Sequence, residues 1–110
     1  MDKSEWQSLY DILEPILSDF QIEYSFYQNG KNLKIRNEAK KKVDSAIQRA
    51  IFYIKENSEA FLLLTKRGGS SGYGQMDAFN EFKRPNYFGG DLSDFLKDIK
   101  TKIKRLEDDL

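Results

Sequence analysis

Apolar side chains recur along the chain at two periods, and the switches between them set the expected elements. Trp6, Leu9, Tyr10, Leu13, Ile16, Leu17 and Phe20 return at spacings of three and four, which places them on one face of a helix. The pattern predicts a helix over about residues 5–19, with Ser4 as N-cap and Gln7 as its capping-box partner. Pro15 interrupts this stretch but points away from the apolar stripe. The helix therefore either survives with a kink toward solvent or divides into two shorter ones.

Around Asn29-Gly30 the period becomes two. This dipeptide is the preferred two-residue hairpin turn, because both positions tolerate positive φ. A hairpin closed there sets Phe26 opposite Leu33 and Tyr24 opposite Ile35 on one face. Glu23 then opposes Arg36, and Ser25 opposes Lys34, on the other.

A second helix is expected over about 38–56, on the stripe Ala39, Val43, Ala46, Ile47, Ala50, Ile51 and Ile54. Asn57-Ser58 ends it. Glu59 to Lys66 reads as a strand buried on both faces, since Phe61 to Leu64 are apolar on successive positions. Residues 67–90 are expected to be irregular. Arg67 to Gln75 holds four of the seven glycines, Met76 to Phe82 fits a short helix or an edge strand, and Lys83 to Gly90 forms a second loop. A last helix runs from Asp91 or Leu92 to about Asp108 on Leu92, Leu96, Ile99, Ile103 and Leu106. The expected fold is thus α+β, in one domain covering 1–110. Its order is α-β-β-α-β-(short element)-α, with helices packed on a small antiparallel or mixed sheet.

Composition narrows the chemistry. Of 110 residues, 33% are charged and 14% aromatic, and the aromatics supply burial that a disordered chain lacks. Cysteine and histidine are both absent. That removes disulfides, thiol nucleophiles, thiolate or imidazole metal sites and imidazole acid–base catalysis. The residues around Met1 to Trp6 lack the pattern of a secretory signal. The longest apolar run, Ala60 to Leu64, falls far short of the roughly 20 residues of a membrane-spanning helix. The expected location is a cytoplasm, its own cell's or another's, with no membrane partner.

Charge sums to zero but is uneven. Residues 1–30 carry six acids and Lys3, a net of −5; residues 31–67 carry ten bases and four acids, a net of +6. The basic middle either faces an acidic partner or docks on the acidic first third of its own fold.

Short motifs are weak. Asp77, Glu81 and Lys83 superficially match an acidic-acidic-lysine metal site, but lie in one short segment instead of on separate strands. Asp91 and Asp94 read as charges at the positive end of a helix. The glycine-rich segment lacks the spacing of a phosphate-binding loop. No cofactor, metal or catalytic residue is therefore expected.

Spare aromatic and cationic groups are the remaining special feature: Lys66, Arg67, Tyr73, Lys83, Arg84, Tyr87 and Phe88. Phe52 joins them as an aromatic on the polar side of its helix. Aromatic and arginine side chains are the anchors of protein interfaces, whereas bases stacked on aromatics in a cationic groove hold single-stranded nucleic acid. The leading expectation is a non-enzymatic regulator or inhibitor binding a protein partner, as a small phage- or mobile-element-encoded inhibitor would. The alternative is a single-strand nucleic-acid binder using Lys40, Lys41, Lys42, Lys66, Arg67, Lys83 and Arg84. The four-three spacing of the last helix also suits a coiled-coil homodimer, but it spans under three heptads, so an intramolecular role is favoured.

Overall fold

The helical period that starts at Trp6 does not stop at Phe20. Tyr24 and Tyr27 continue its four-three spacing, and the first helix, α1, runs from Lys3 to Asn29. The computed structural model describes residues 1–66 and 75–108. After α1 come α2 (Leu33–Lys55), α3 (Ser58–Thr65), α4 (Gln75–Phe82) and α5 (Pro85–Asp108). No strand occurs among the described residues, so the α+β expectation gives way to an all-helical fold.

Each correction has a local cause. Asp2 caps α1 in place of Ser4: its carboxylate accepts from the Glu5 N–H at 2.8 Å, and the Glu5 carboxylate accepts from the Asp2 N–H at 3.3 Å. Pro15 sits exposed inside an unbroken helix. The expected hairpin turn is a helix end. Asn29 is the last residue of α1, and Gly30 follows at φ −59° and ψ 140°, donating its N–H to the Phe26 carbonyl at 2.8 Å. Neither strand forms, because Asn32 caps α2 at once, its side chain accepting from the Ile35 N–H at 2.9 Å. Gly30 serves by lacking a side chain, since a Cβ there would lie 2.6 Å from the Phe26 carbonyl oxygen.

The apolar run 61–64 is helical too. A run this short carries no decisive period, and Asn57 starts α3 by accepting from the Glu59 N–H at 2.9 Å. Ala60, Leu64 and Thr65 are buried and Leu62 faces solvent. The Thr65 hydroxyl donates to the Phe61 carbonyl at 2.9 Å, so its burial leaves no unmet group. The second expected loop is also helix. The Arg84 carbonyl accepts from the Tyr87 and Phe88 N–H groups, with Pro85 at the first helical position, where its missing N–H costs nothing. Asp91 and Asp94 consequently lie beyond the first turn, where the helix dipole has little reach.

α2 and α5 both pack antiparallel to α1, and the three share one core. Glu23 pairs with Lys42 and Asp19 with Arg49, each at 3.8 Å. Lys3 meets Glu107 at 2.8 Å near one end of α5, and Phe88 at the other end lies edge-on to Phe20 at 4.7 Å. Gly89 permits that approach, since a Cβ there would come within 3.0 Å of the Phe20 ring. α3 and α4 lead from α2 to α5, with Phe61 against Phe79 and Phe82 against Phe88. All the buried apolar side chains described except Ala39 form one cluster, into which α5 sends Leu92, Phe95, Leu96, Ile99 and Ile103. The seam that would suit a coiled coil is thereby buried within the chain.

The basic middle does meet the acidic first third at Lys42 and Arg49. Lys42, Arg49 and Asp19 are exposed and Glu23 is half-buried, and ion pairs this open to solvent contribute at most about 1 kcal/mol each. Apolar packing along α1 therefore dominates the association.

Candidate functional site

α1 outreaches α5. Phe88, the first buried residue of α5, covers Phe20, and α1 continues past it to Asn29 with α2 alongside. The α1–α2 hairpin therefore projects. The radius of gyration, 15.2 Å, exceeds the about 13 Å of a compact domain this size.

The projecting end gathers apolar surface. Of eight large hydrophobic side chains exposed among the described residues, four lie here: Ile22, Phe26, Leu33 and Ile35. Leu33 is 65% exposed. Helical geometry explains why the apolar residues that would line one hairpin face are left outside. A period of 3.6 carries Tyr24 and Tyr27 onto the core stripe and turns Ile22 and Phe26 away from it. On the core side, Tyr24 stacks on Phe20 with centroids 5.2 Å apart and planes 14° apart, and Tyr27 follows 6.1 Å beyond Tyr24. Gln28 donates to the Tyr24 hydroxyl at 2.9 Å. Both tyrosines are half-buried, and with Leu33 and Arg36 they line an open groove of about 530 Å³.

Charge concentrates at the same end. Residues 31–42 hold six bases against Glu38, a net of +5. All but Ala39 are exposed. Among the described residues, Lys31, Lys34, Arg36, Lys40 and Lys41 form no ion pair.

The residues singled out from sequence lie elsewhere. Phe52 is 58% exposed on the outer side of α2, edge-on to Tyr53 at 5.3 Å. Lys66 is exposed just past α3. Lys83 and Arg84 are exposed in the turn before α5, and Tyr87 is exposed in its first turn. Phe88 does not join them: it is fully buried between Phe20 and Phe82 and is a core residue. Arg67 and Tyr73, with the glycine-rich segment, lie outside the described residues. Buried Phe79 ties part of this second surface together, with Lys55 Nζ 4.8 Å and Lys83 Nζ 4.3 Å from its ring centroid.

Among the described residues, no three acidic side chains converge as a metal site would require, and no helix is long and apolar enough to cross a membrane. Comparison with known protein families, curated protein sequences and solved structures yields no match.

The projecting end is hidden in the sequence because Asn29-Gly30 has the chemistry of a strand turn. The signal that marks it is the spacing Phe20, Tyr24, Tyr27 together with the Asn32 cap.

Proposed function

We propose that the protein is a non-enzymatic interaction module, a regulator or inhibitor that binds a protein partner through the projecting end of its α1–α2 hairpin. The observation that carries this reading is the gathering, at one end of the molecule, of half the large hydrophobics exposed among the described residues, beside a run of cations of which Lys42 alone forms an ion pair there. Exposed apolar side chains gathered among charges are the usual mark of an interaction surface. The reading includes a cytoplasmic site of action, the compartment expected of a domain stabilised without disulfides.

The second surface, with Phe52, Lys66, Lys83, Arg84 and Tyr87, is the competing location, favoured by the exposed rings of Phe52 and Tyr87 and by Lys55 and Lys83 over the Phe79 ring. The nucleic-acid alternative draws on the same bases but leaves exposed Ile22, Leu33 and Ile35 unexplained, since aliphatic side chains neither stack on bases nor pair with phosphates.

One comparison separates these. Phe26→Asp with Leu33→Asp alters only exposed side chains, so circular dichroism and melting temperature should stay near the parent's. Affinity for the purified partner should fall at least about tenfold, as loss of apolar anchors predicts. Tyr87→Ala with Arg84→Ala should change it by less than about threefold. The reverse ranking would move the surface to the α4–α5 turn. Tight oligonucleotide binding that weakens steeply with salt would replace the protein partner altogether.

A further inference from the structure

We infer that the groove at the projecting end receives an acidic amphipathic α-helix of the partner, laid along α1 and α2 where α5 stops. This rests on the protein-binding reading and specifies what the partner presents.

Continuity of packing is the first ground. α5 fills the seam along α1 as far as the Phe20–Phe88 contact. The stripe then runs on through Tyr24 and Tyr27 toward Asn29, nine residues beyond Phe20. At helical rise that is about 13 Å, between two and three turns. The groove prolongs a seam already shaped for a helix, and its half-buried tyrosines offer ring faces with hydroxyls at the rim. Two rigid aromatics beside Leu33 are the composition of an interface anchor.

Charge selects the occupant. On α2, Leu33, Arg36 and Lys40 follow spacings of three and four, so they share one side of the helix. Arg36 lines the groove, and Lys40 stands one turn further along. Carboxylates on the flank of a docked helix would meet both. A second copy of this chain in a twofold contact would set this cationic run against itself. A lipid surface would satisfy the cations, but a plane cannot fill a groove. Ile22 and Phe26 also lie more than a quarter-turn around α1 from Tyr24, so no single plane reaches both.

The test replaces Tyr27 or Leu33, one at a time, by a benzophenone-bearing photo-crosslinking residue in the full chain. The chain is irradiated in the organism that encodes it, and the captured segment is sequenced. Both positions should capture one segment of one protein, acidic and with apolar residues every three to four positions. A synthetic copy of that segment should lose at least about tenfold in affinity for Arg36→Glu and for Lys40→Glu, and recover most of it when its facing acid is exchanged for lysine. Two separate charge reversals guard against one that disturbs the Gly30 turn, which Arg36 touches. A protein segment that is extended, neutral or basic overturns the helix inference and leaves the protein-binding reading standing. Capture of nucleic acid, lipid or a second copy, or of nothing at either position, sinks both.

Discussion

A few side chains hold this fold where packing alone leaves it undecided. At Gly30 the backbone φ is ordinary, so space and not dihedral freedom demands glycine: an added Cβ would meet the Phe26 carbonyl at 2.6 Å and the Arg36 side chain at 2.9 Å. Gly30→Ala should cost about 1–3 kcal/mol in urea unfolding, the range of overpacked sites. Unchanged stability would mean that the turn relaxes freely. The amine of Met1 donates to the Glu59 carboxylate, tying the start of the chain to α3. That hydrogen bond, ahead of the desolvation that opposes it, raises the pKa of the amine above its ordinary value of 8.0. A raised folded pKa stabilises fully below the unfolded value, and the gain is lost as pH rises through the folded one. The stability difference between the parent and Glu59→Gln should therefore be constant from pH 6 to about 7.5 and shrink above pH 8. Parallel denaturation curves across that range would show it.

At the scale of elements, what the sequence discloses depends on whether one period dominates. The stripes of α2 and α5 were legible because their apolar residues repeat over about four turns. The core of α1 was legible up to Phe20 for the same reason. Past it, Tyr24, Phe26, Leu33 and Ile35 satisfy a period of two as well as Asn29-Gly30 satisfies a turn, and the Asn32 cap together with the spacing Phe20, Tyr24, Tyr27 decides against the sheet. Residues 59–66 are ambiguous in the same way, being too short to show a period. Phe52 stands out in the sequence as an aromatic on a polar side, which fits a second layer of the fold better than a free surface; it is exposed instead. Phe88, chosen as a contact residue, is buried because α5 begins at Pro85 and rotates that ring against Phe20. Starts of helices thus carry much of the information that periodicity lacks. Asn32→Ala should destabilise by about 1 kcal/mol, the usual worth of such a cap, and should fray the first turn of α2. Amide exchange at Ile35, whose N–H the Asn32 side chain accepts, should quicken before exchange at Ile47 changes.

For the whole molecule, the unequal lengths of α1 and α5 produce a gradient of stability. Between Trp6 and Phe20, α1 packs against α2 and α5, and its stripe residues Trp6, Leu9, Leu13, Ile16 and Phe20 are at most 7% exposed. Beyond Phe20 no stripe residue is fully buried, and the adjoining turn of α2 is exposed almost throughout. Local opening free energy follows buried apolar contact. Backbone amides of residues 22–38 should therefore exchange through local opening, faster than those of residues 9–20 and 43–54, which should exchange only with global unfolding. A site that is ordered last can be ordered by what it binds. Partner docking along the groove should then slow exchange most at Tyr24, Tyr27 and Arg36, with little change at Ile99 or Ile103 in α5. Mass-spectrometric exchange on the free and bound protein reads both patterns. Uniform protection along α1 in the free protein would refute the gradient. Protection gained at the α4–α5 turn would place the contact on the surface of Arg84 and Tyr87.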